Sequence, residues 1–362
     1  MARPNQAQLD LDALRHNLAH AKSLAPKSRV MAVVKANAYG HGAVTIANAL
    51  EPHTDALAVA CLEEALELRG AGITIPILLL QGIFEESELQ IAASNNLWLM
   101  IENPWQMQVL EKAKLEKPLF CWLKIDTGMH RLGIEPAQAE SFYRRLSDTQ
   151  NTQGDVVLCT HFASADDLQS PQTDLQMACF NSSCEQLNGP RSTANSPAVL
   201  AWPNTHFDWI RPGYMLYGNS PFGLTPHANT EALQSVMTLR SAITSIREVP
   251  SGDHVGYAAS WSANHPSRIA TVTIGYGDGY PRMAKNGTPV LVNGQRAALA
   301  GRVSMDMITI DITHLKNVSV GDEVVLWGKD LPLAEVAQWA DTIGYELTTR
   351  MPARTQRVVT VN

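Results

Sequence analysis

The sequence predicts an α/β protein of two domains: an N-terminal (β/α)8 barrel of the TIM type over residues 1–232 and a mostly β domain over residues 233–362. The chain has 362 residues, which is long for one domain but suits two. In its first two-thirds, short apolar runs alternate with amphipathic helical stretches. Beyond about residue 220, the apolar–polar alternation of half-exposed strands takes over.

The barrel is predicted from a series of short apolar runs, which are typical of parallel strands buried on both faces. Helical patterns such as residues 62–71 lie between them. About eight such units fit a closed barrel, whereas an open doubly wound sheet is disfavoured because no GxGxxG follows the first strand. The predicted strands are residues 30–34, 56–60, 77–80, 97–101, 119–125 and 156–160, with weaker ones near 192–195 and 207–211.

The second domain follows a linker, residues 219–230, that is rich in Pro, Gly, Asn and Thr. Asn293-Gly294 lies between two apolar runs and predicts a type I′ hairpin. A late helix is expected over residues 333–343. Strands are expected over residues 239–246, 268–274 and 307–312.

Composition excludes several classes of function. The net charge is −7 and there is no cluster of Lys and Arg, which argues against a nucleic-acid partner. No apolar stretch reaches the ~18 residues of a transmembrane helix, and the N-terminus lacks a signal-peptide core. The five cysteines include no CxxC pair, so we expect free thiols and a cytoplasmic location, with no membrane partner.

Lys35 is the first candidate for chemistry. It ends the first predicted strand, in VMAVVKANAYGHG, and barrel enzymes build their active sites at that end of their strands. A desolvated lysine has a lowered pKa and can attack carbonyls or act as a base. Position alone is equally compatible with a lysine that extends to water. The Gly, Tyr and His residues that follow favour a functional site.

Other charged residues also follow predicted strands. Lys124 and Asp126 share one strand face, so an ion pair inside the barrel is the simplest interpretation, although Lys124 or the nearby Arg131 could bind a substrate carboxylate. His161 and Arg211 end two further runs. No HxH or HExxH spacing supports a metal site.

Taken together, the motifs resemble the alanine racemases, the barrel class of enzymes that depend on pyridoxal 5′-phosphate (PLP). The resemblance extends over essentially the whole chain and depends on the shared order of its motifs. They are AVVKANAYGHG, LKIDTGMHRLGI, THFASAD, ANS, IRPGYMLYG, VGYAASW, IGYGDGYPR, GRVSMD and GYEL.

The resemblance implies two catalytic bases on opposite faces of the substrate. Lys35 would carry PLP as a Schiff base and serve as one base, and Tyr257 would be the other. Tyr257 would come from a partner subunit, so the active enzyme would be a homodimer with shared sites. Such a pair suits racemisation, because a proton must leave one face and return on the other.

The resemblance also assigns cofactor-binding residues. Arg211 would contact the pyridine nitrogen and His161 would lie beneath the ring. The phosphate would be held by Tyr39, Ser196, Tyr345 and the backbone of Gly213 and Tyr214.

Arg131 would steer the substrate carboxylate, together with the backbone around Met305 of the partner subunit. Tyr276 and Tyr345 would narrow the mouth of the pocket. Lys124 matches a position that is often N-carboxylated in the family, which would replace its positive charge with a negative one. Ser304 stands where many relatives have Cys, a departure that could alter the substrate fit.

The implied function is the interconversion of L- and D-alanine, for cell-wall supply or for D-alanine breakdown. One alternative is a racemase of broader range, acting on serine or other amino acids. A non-catalytic PLP carrier would lack the second domain and Tyr257. A decarboxylase of the same class would be expected to carry a Cys in the second domain, whereas the last cysteine here is Cys184.

Overall fold

A computed structural model describes residues 3–360. Eight parallel strands form the first domain; the first seven pair in chain order, and the eighth pairs with the first. Backbone bonds from Asp208 to Arg191 (N···O 3.1 Å) and from Arg211 to Ala194 (2.9 Å) complete the ring. The predicted barrel is thus confirmed. Its strands are Arg29–Val33, Ala56–Val59, Ile77–Leu79, Leu97–Ile101, Cys121–Lys124, Val157–Cys159, Arg191–Ser192 and Trp209–Ile210.

Helices surround the barrel and begin where the sequence supplies caps. The Asp10 carboxylate accepts the N–H groups of Asp12 and Ala13, and the Asn103 side chain accepts that of Gln106. Within residues 3–360, no helix combines the length and apolar composition that a membrane span needs. The helices of this domain are Leu11–Leu24, Ala43–Leu50, Leu62–Gly70, Ser87–Ser94, Pro104–Lys112, Ala139–Asp148, Gln172–Ser183 and Ser196–Ala201.

Side chains fill the inside of the barrel. Met31, Trp122 and Trp209 are buried there, and the two indole rings lie 5.7 Å apart. Because these side chains fill the interior of the barrel, the space left for a ligand lies at the carboxyl ends of the strands.

The second domain is a closed antiparallel sheet. Its long first strand, Met237–Val249, pairs with Ser267–Val272 on one side and Glu323–Trp327 on the other, so six strands form a ring. The hairpin turn at Asn293 and Gly294 is confirmed, since both have positive φ (49° and 78°). The other strands are His254–Val255, Trp261–Ser262, Pro289–Val292, Gln295–Leu299, Ile308–Asp311 and Gln356–Val359.

Two sequence-based expectations need correction. The strand Gln6–Leu9 falls in the range assigned to the barrel, yet it joins the second sheet, between Met237–Val249 and Gln356–Val359. Its partners are more than 200 residues away, beyond the reach of any local pattern. The late helix ends at Trp339, and a second one, Gly344–Thr349, carries Tyr345 towards the barrel.

Candidate active site

Lys35 begins a left-handed turn. Ala36, Asn37, Ala38 and Tyr39 all have φ between 52° and 55°. Residues other than glycine rarely adopt this conformation, which costs roughly 1–2 kcal/mol per residue. This left-handed conformation leaves Lys35 and Tyr39 at the barrel mouth, where both side chains line one cavity.

Surrounding groups stabilise this turn. The Glu64 carboxylate accepts the N–H of Ala36 at 2.7 Å, and the Asn37 side chain accepts that of Ala43 at 2.7 Å. His41 is fully buried, and its Nδ1 lies 3.0 Å from the carbonyls of Ala38 and Tyr39. Burial lowers the His41 pKa to about 4, so the neutral ring donates from Nδ1.

The cavity beside Lys35 has a volume of about 420 Å³. It brings together ten of the residues singled out in the sequence, which come from different strand ends and from the second domain. They are Lys35, Tyr39, Lys124, Arg131, His161, Ser196, Arg211, Gly213, Tyr214 and Tyr345.

The cavity is strongly cationic. Lys35, Lys124, Arg131 and Arg211 line it, whereas no carboxylate of the described residues does. The pKa of Lys35 is lowered, first by burial and then by Arg131 and Lys124, while Glu64 opposes the change. A lysine with a lowered pKa is more often neutral, and a neutral amine can attack a carbonyl or accept a proton.

Arg211 is buried and has no carboxylate partner among residues 3–360. Its guanidinium donates to the Ser192 hydroxyl (2.6 Å) and the Thr160 carbonyl (2.7 Å). Burial, followed by the charge of Arg211, lowers the pKa of His161 well below its usual value. His161 is therefore neutral, and the positive charge on this side of the cavity belongs to Arg211.

One end of the cavity has the features of an anion cradle. The Gly213 N–H donates to the Ser196 hydroxyl at 2.9 Å, and the Tyr39 hydroxyl lies beside the same glycine. A Cβ at position 213 would lie 2.6 Å from that hydroxyl oxygen, so only glycine keeps this space open. The rings of Tyr214 and Tyr345 stack at 3.6 Å beside it.

Lys124 has a partner that the sequence did not suggest. Its Nζ lies 3.4 Å from the Glu102 carboxylate, and both side chains are largely buried. The expected partner, Asp126, instead accepts the N–H groups of Gly128, Met129 and His130 (3.0–3.1 Å). The reason is local, since the strand ends at Lys124 and the chain turns at Asp126.

Three predicted residues lie outside this cavity. Tyr257 is 68% exposed, Met305 52% and Tyr276 41%. All three belong to loops of the second domain, and none lines the cavity beside Lys35. Within one chain, therefore, Lys35 and Tyr257 do not meet.

The loop that carries Met305 is nevertheless well supported. The Met305 carbonyl accepts the N–H of Gly277 at 2.9 Å, and the Ser304 carbonyl accepts the N–H of Tyr276 at 3.0 Å. Next to it, the buried Asp278 carboxylate pairs with Arg3 and Arg354. The exposed Met305 thus lies on a rigid support.

Fold and site together define a class of protein: a barrel enzyme with a strand-end lysine in a cationic cavity that has an anion cradle. Comparison with known protein families supports this class. Residues 9–221 match the family model "Alanine racemase, N-terminal domain", and residues 236–359 match "Alanine racemase, C-terminal domain". The chain therefore belongs to the alanine racemase family.

Individual relatives span the whole chain. It is 51% identical over 357 residues to an alanine racemase of Chromohalobacter salexigens, covering 99% of this chain and 98% of the relative. The biosynthetic alanine racemase of Pseudomonas aeruginosa has a solved structure with a TM-score of 0.95 and 47% identity, covering 99% and 100% of the two chains. A solved structure of alanine racemase from Bartonella henselae contains covalently bound pyridoxal phosphate (TM-score 0.89, 30% identity, 99% and 100% coverage of the two chains).

The residues present fit such a cofactor. The Lys35 amine suits its aldehyde, and the buried Arg211 guanidinium, which lines the cavity, suits its ring nitrogen. The space kept open by Gly213 suits its phosphate. Sequence reasoning missed two carboxylates, Glu64 and Glu102. Glu64 lies within a helix and Glu102 just before one, where exposed acidic residues are common, so no local signal distinguished them.

Proposed function

We propose that this chain is an alanine racemase that holds PLP through Lys35 and interconverts L- and D-alanine. The observation that carries the proposal is the position of Lys35, whose lowered pKa and strand-end placement combine with the anion cradle in one cavity. When bound, the cofactor withdraws electrons from the substrate Cα and so makes its proton removable.

Lys35 would move a proton on one face of the substrate. Its neutral amine can accept the Cα proton, and its ammonium form can return one. Arg211 would hold the ring nitrogen; because a guanidinium has only N–H donors, that nitrogen would have to be an acceptor without a proton of its own. His161, which is neutral, would support the ring without adding charge.

Tyr257 would serve the other face as the second base. It is largely exposed and lies outside the cavity of its own chain, which supports a homodimer in which Tyr257 of each subunit reaches the site of the other. The same applies to Met305, whose main chain would complete the carboxylate site with Arg131. Tyr276 would join the mouth of the pocket from the partner subunit.

Tyr345 narrows the cavity over the anion cradle, where it stacks on Tyr214. Such a wall favours a small substrate side chain, and hence alanine over larger amino acids. A cytoplasmic location, expected from the sequence, is supported by the five cysteines, all of which are free thiols.

One experiment tests the function. The purified protein is saturated with PLP and incubated with a panel of L-amino acids, and the products are separated by chirality. We expect D-alanine as the main product, with Lys35→Ala unable to form it. Absence of D-alanine would overturn the proposed activity. Faster racemisation of larger amino acids would overturn the proposed substrate.

A further inference from the structure

Glu102 is a buried carboxylate that directly faces a lysine of the cavity. It follows the strand Leu97–Ile101, which pairs in parallel with Cys121–Lys124, so the ends of the two strands lie side by side. This register brings the Glu102 Oε2 to 3.4 Å from the Lys124 Nζ. Only 4% of the Glu102 side chain and 13% of the Lys124 side chain are exposed.

The charges around this pair are unevenly distributed. The pKa of Glu102 is raised by burial, and the positive charges of Lys124 and then Arg131 partly oppose this shift. Arg131 therefore already has a negative group nearby. A positive Lys124 also acts on the site itself, since it lowers the pKa of Lys35.

We propose that Glu102 pairs with the Lys124 side chain and thereby prevents its N-carboxylation. In that modification, the neutral amine attacks carbon dioxide, an N–C bond forms, and one amine proton leaves, giving a carbamate anion. The Glu102 carboxylate disfavours both ends of this step. It contacts the Lys124 Nζ that would have to attack, and its negative charge would face the new carbamate anion at close range.

Glu102 is thus a positioning residue, which acts on the reaction through Lys124 and Arg131. It supplies within the chain the negative charge that a carbamate would otherwise bring to Arg131. The link to catalysis rests on the proposed function, but the absence of N-carboxylation at Lys124 does not.

Carbon-13 NMR of the full-length holoprotein in [13C]bicarbonate tests the proposal directly. We expect no lysine carbamate signal from the wild type and a clear one from Glu102→Gln, which keeps the shape of the side chain and removes its charge. Adding Lys124→Arg to that variant must abolish the signal, which assigns it. Glu116→Gln, an exposed substitution, serves as the matched control and should behave like the wild type.

Two results would overturn the proposal: a carbamate signal from the wild type that disappears in Lys124→Arg, or a folded Glu102→Gln protein without any signal. If Glu102→Gln does not fold, Glu102→Asn is judged by the same criterion. Activity gives a second readout, because turnover of the wild type should not respond to bicarbonate, whereas that of Glu102→Gln should change at least twofold. Since the NMR signal does not require racemisation, failure of the proposed function would be recognised separately.

Discussion

The guanidinium of Arg357 donates two hydrogen bonds, of 3.0 and 2.9 Å, to the carbonyl of Gly40. Arg357 lies on the last strand of the second domain, and Gly40 ends the left-handed turn that begins at Lys35. The same side chain donates to the carbonyls of Met351, Pro352 and Thr355. One arginine thus connects the second domain to the end of the turn that begins at Lys35.

We expect Arg357→Lys to lower the free energy of unfolding by about 2–4 kcal/mol, because a lysine keeps the charge but cannot reach several carbonyls at once. Urea unfolding of the apoprotein measures the change. The exposed substitution Arg350→Lys is the control and should alter stability by less than about 0.5 kcal/mol. Equal effects of the two substitutions would show that the carbonyl contacts contribute little.

Stability of the apoprotein should depend on pH through Lys35. Its pKa in the folded state is lowered by burial, whereas in the unfolded chain it is about 10.4. The unfolded state then binds more protons, so the destabilisation is full below the folded pKa and disappears as the pH rises towards the unfolded value. Apo Lys35→Met should therefore be more stable than wild type near neutral pH, with the difference shrinking as the pH rises.

Urea unfolding at several pH values measures this difference, and Lys27→Met, at an exposed position, provides the control. A difference between Lys35→Met and wild type that stays constant with pH would contradict the lowered pKa.

The proposed sharing of active sites between subunits predicts complementation between two inactive variants. Lys35→Ala and Tyr257→Phe should each lose racemase activity by at least about 100-fold, since each lacks one base. When their subunits are mixed and exchanged in equal amounts, half of the dimers carry one intact site, so about one quarter of wild-type activity should return. Chiral analysis of alanine before and after subunit exchange measures the recovery. No recovery after confirmed exchange would place both bases in the same chain.

Gly213→Ala should weaken cofactor binding. The added methyl group would lie 2.6 Å from the Tyr39 hydroxyl oxygen and fill the anion cradle. We expect at least a tenfold loss of PLP affinity, measured by titrating the apoprotein and following absorbance. Gly70→Ala is the control, because a Cβ at that position meets nothing within 4 Å. Unchanged affinity in Gly213→Ala would mean that phosphate does not bind there.

The sequence was sufficient to predict the barrel and most of the residues that lie at its mouth. Lys35, His161 and Arg211 each end a run of apolar residues, and in a parallel barrel such positions converge by geometry alone. Tyr345 could be placed only through the family resemblance, because the helix that carries it packs against the barrel from the other domain.

Other features have no local signature. The left-handed turn after Lys35 contains two alanines, for which intrinsic propensity favours a right-handed helix. It forms because distant groups such as Glu64 satisfy its backbone. The contact of Glu102 with Lys124 depends on the register of two strands, which a pattern of apolar residues does not specify.

The strand Gln6–Leu9 lies between two strands of the second domain, Met237–Val249 and Gln356–Val359. During synthesis, these first residues leave the ribosome hundreds of residues before Gln356–Val359, their parallel neighbour, exists. The barrel can close while this segment is still unpaired, so the second domain must be the last part of the protein to mature. Gln6–Leu9 and Gln356–Val359 finish as parallel neighbours, so a segment that precedes the barrel in the chain completes the sheet that follows it.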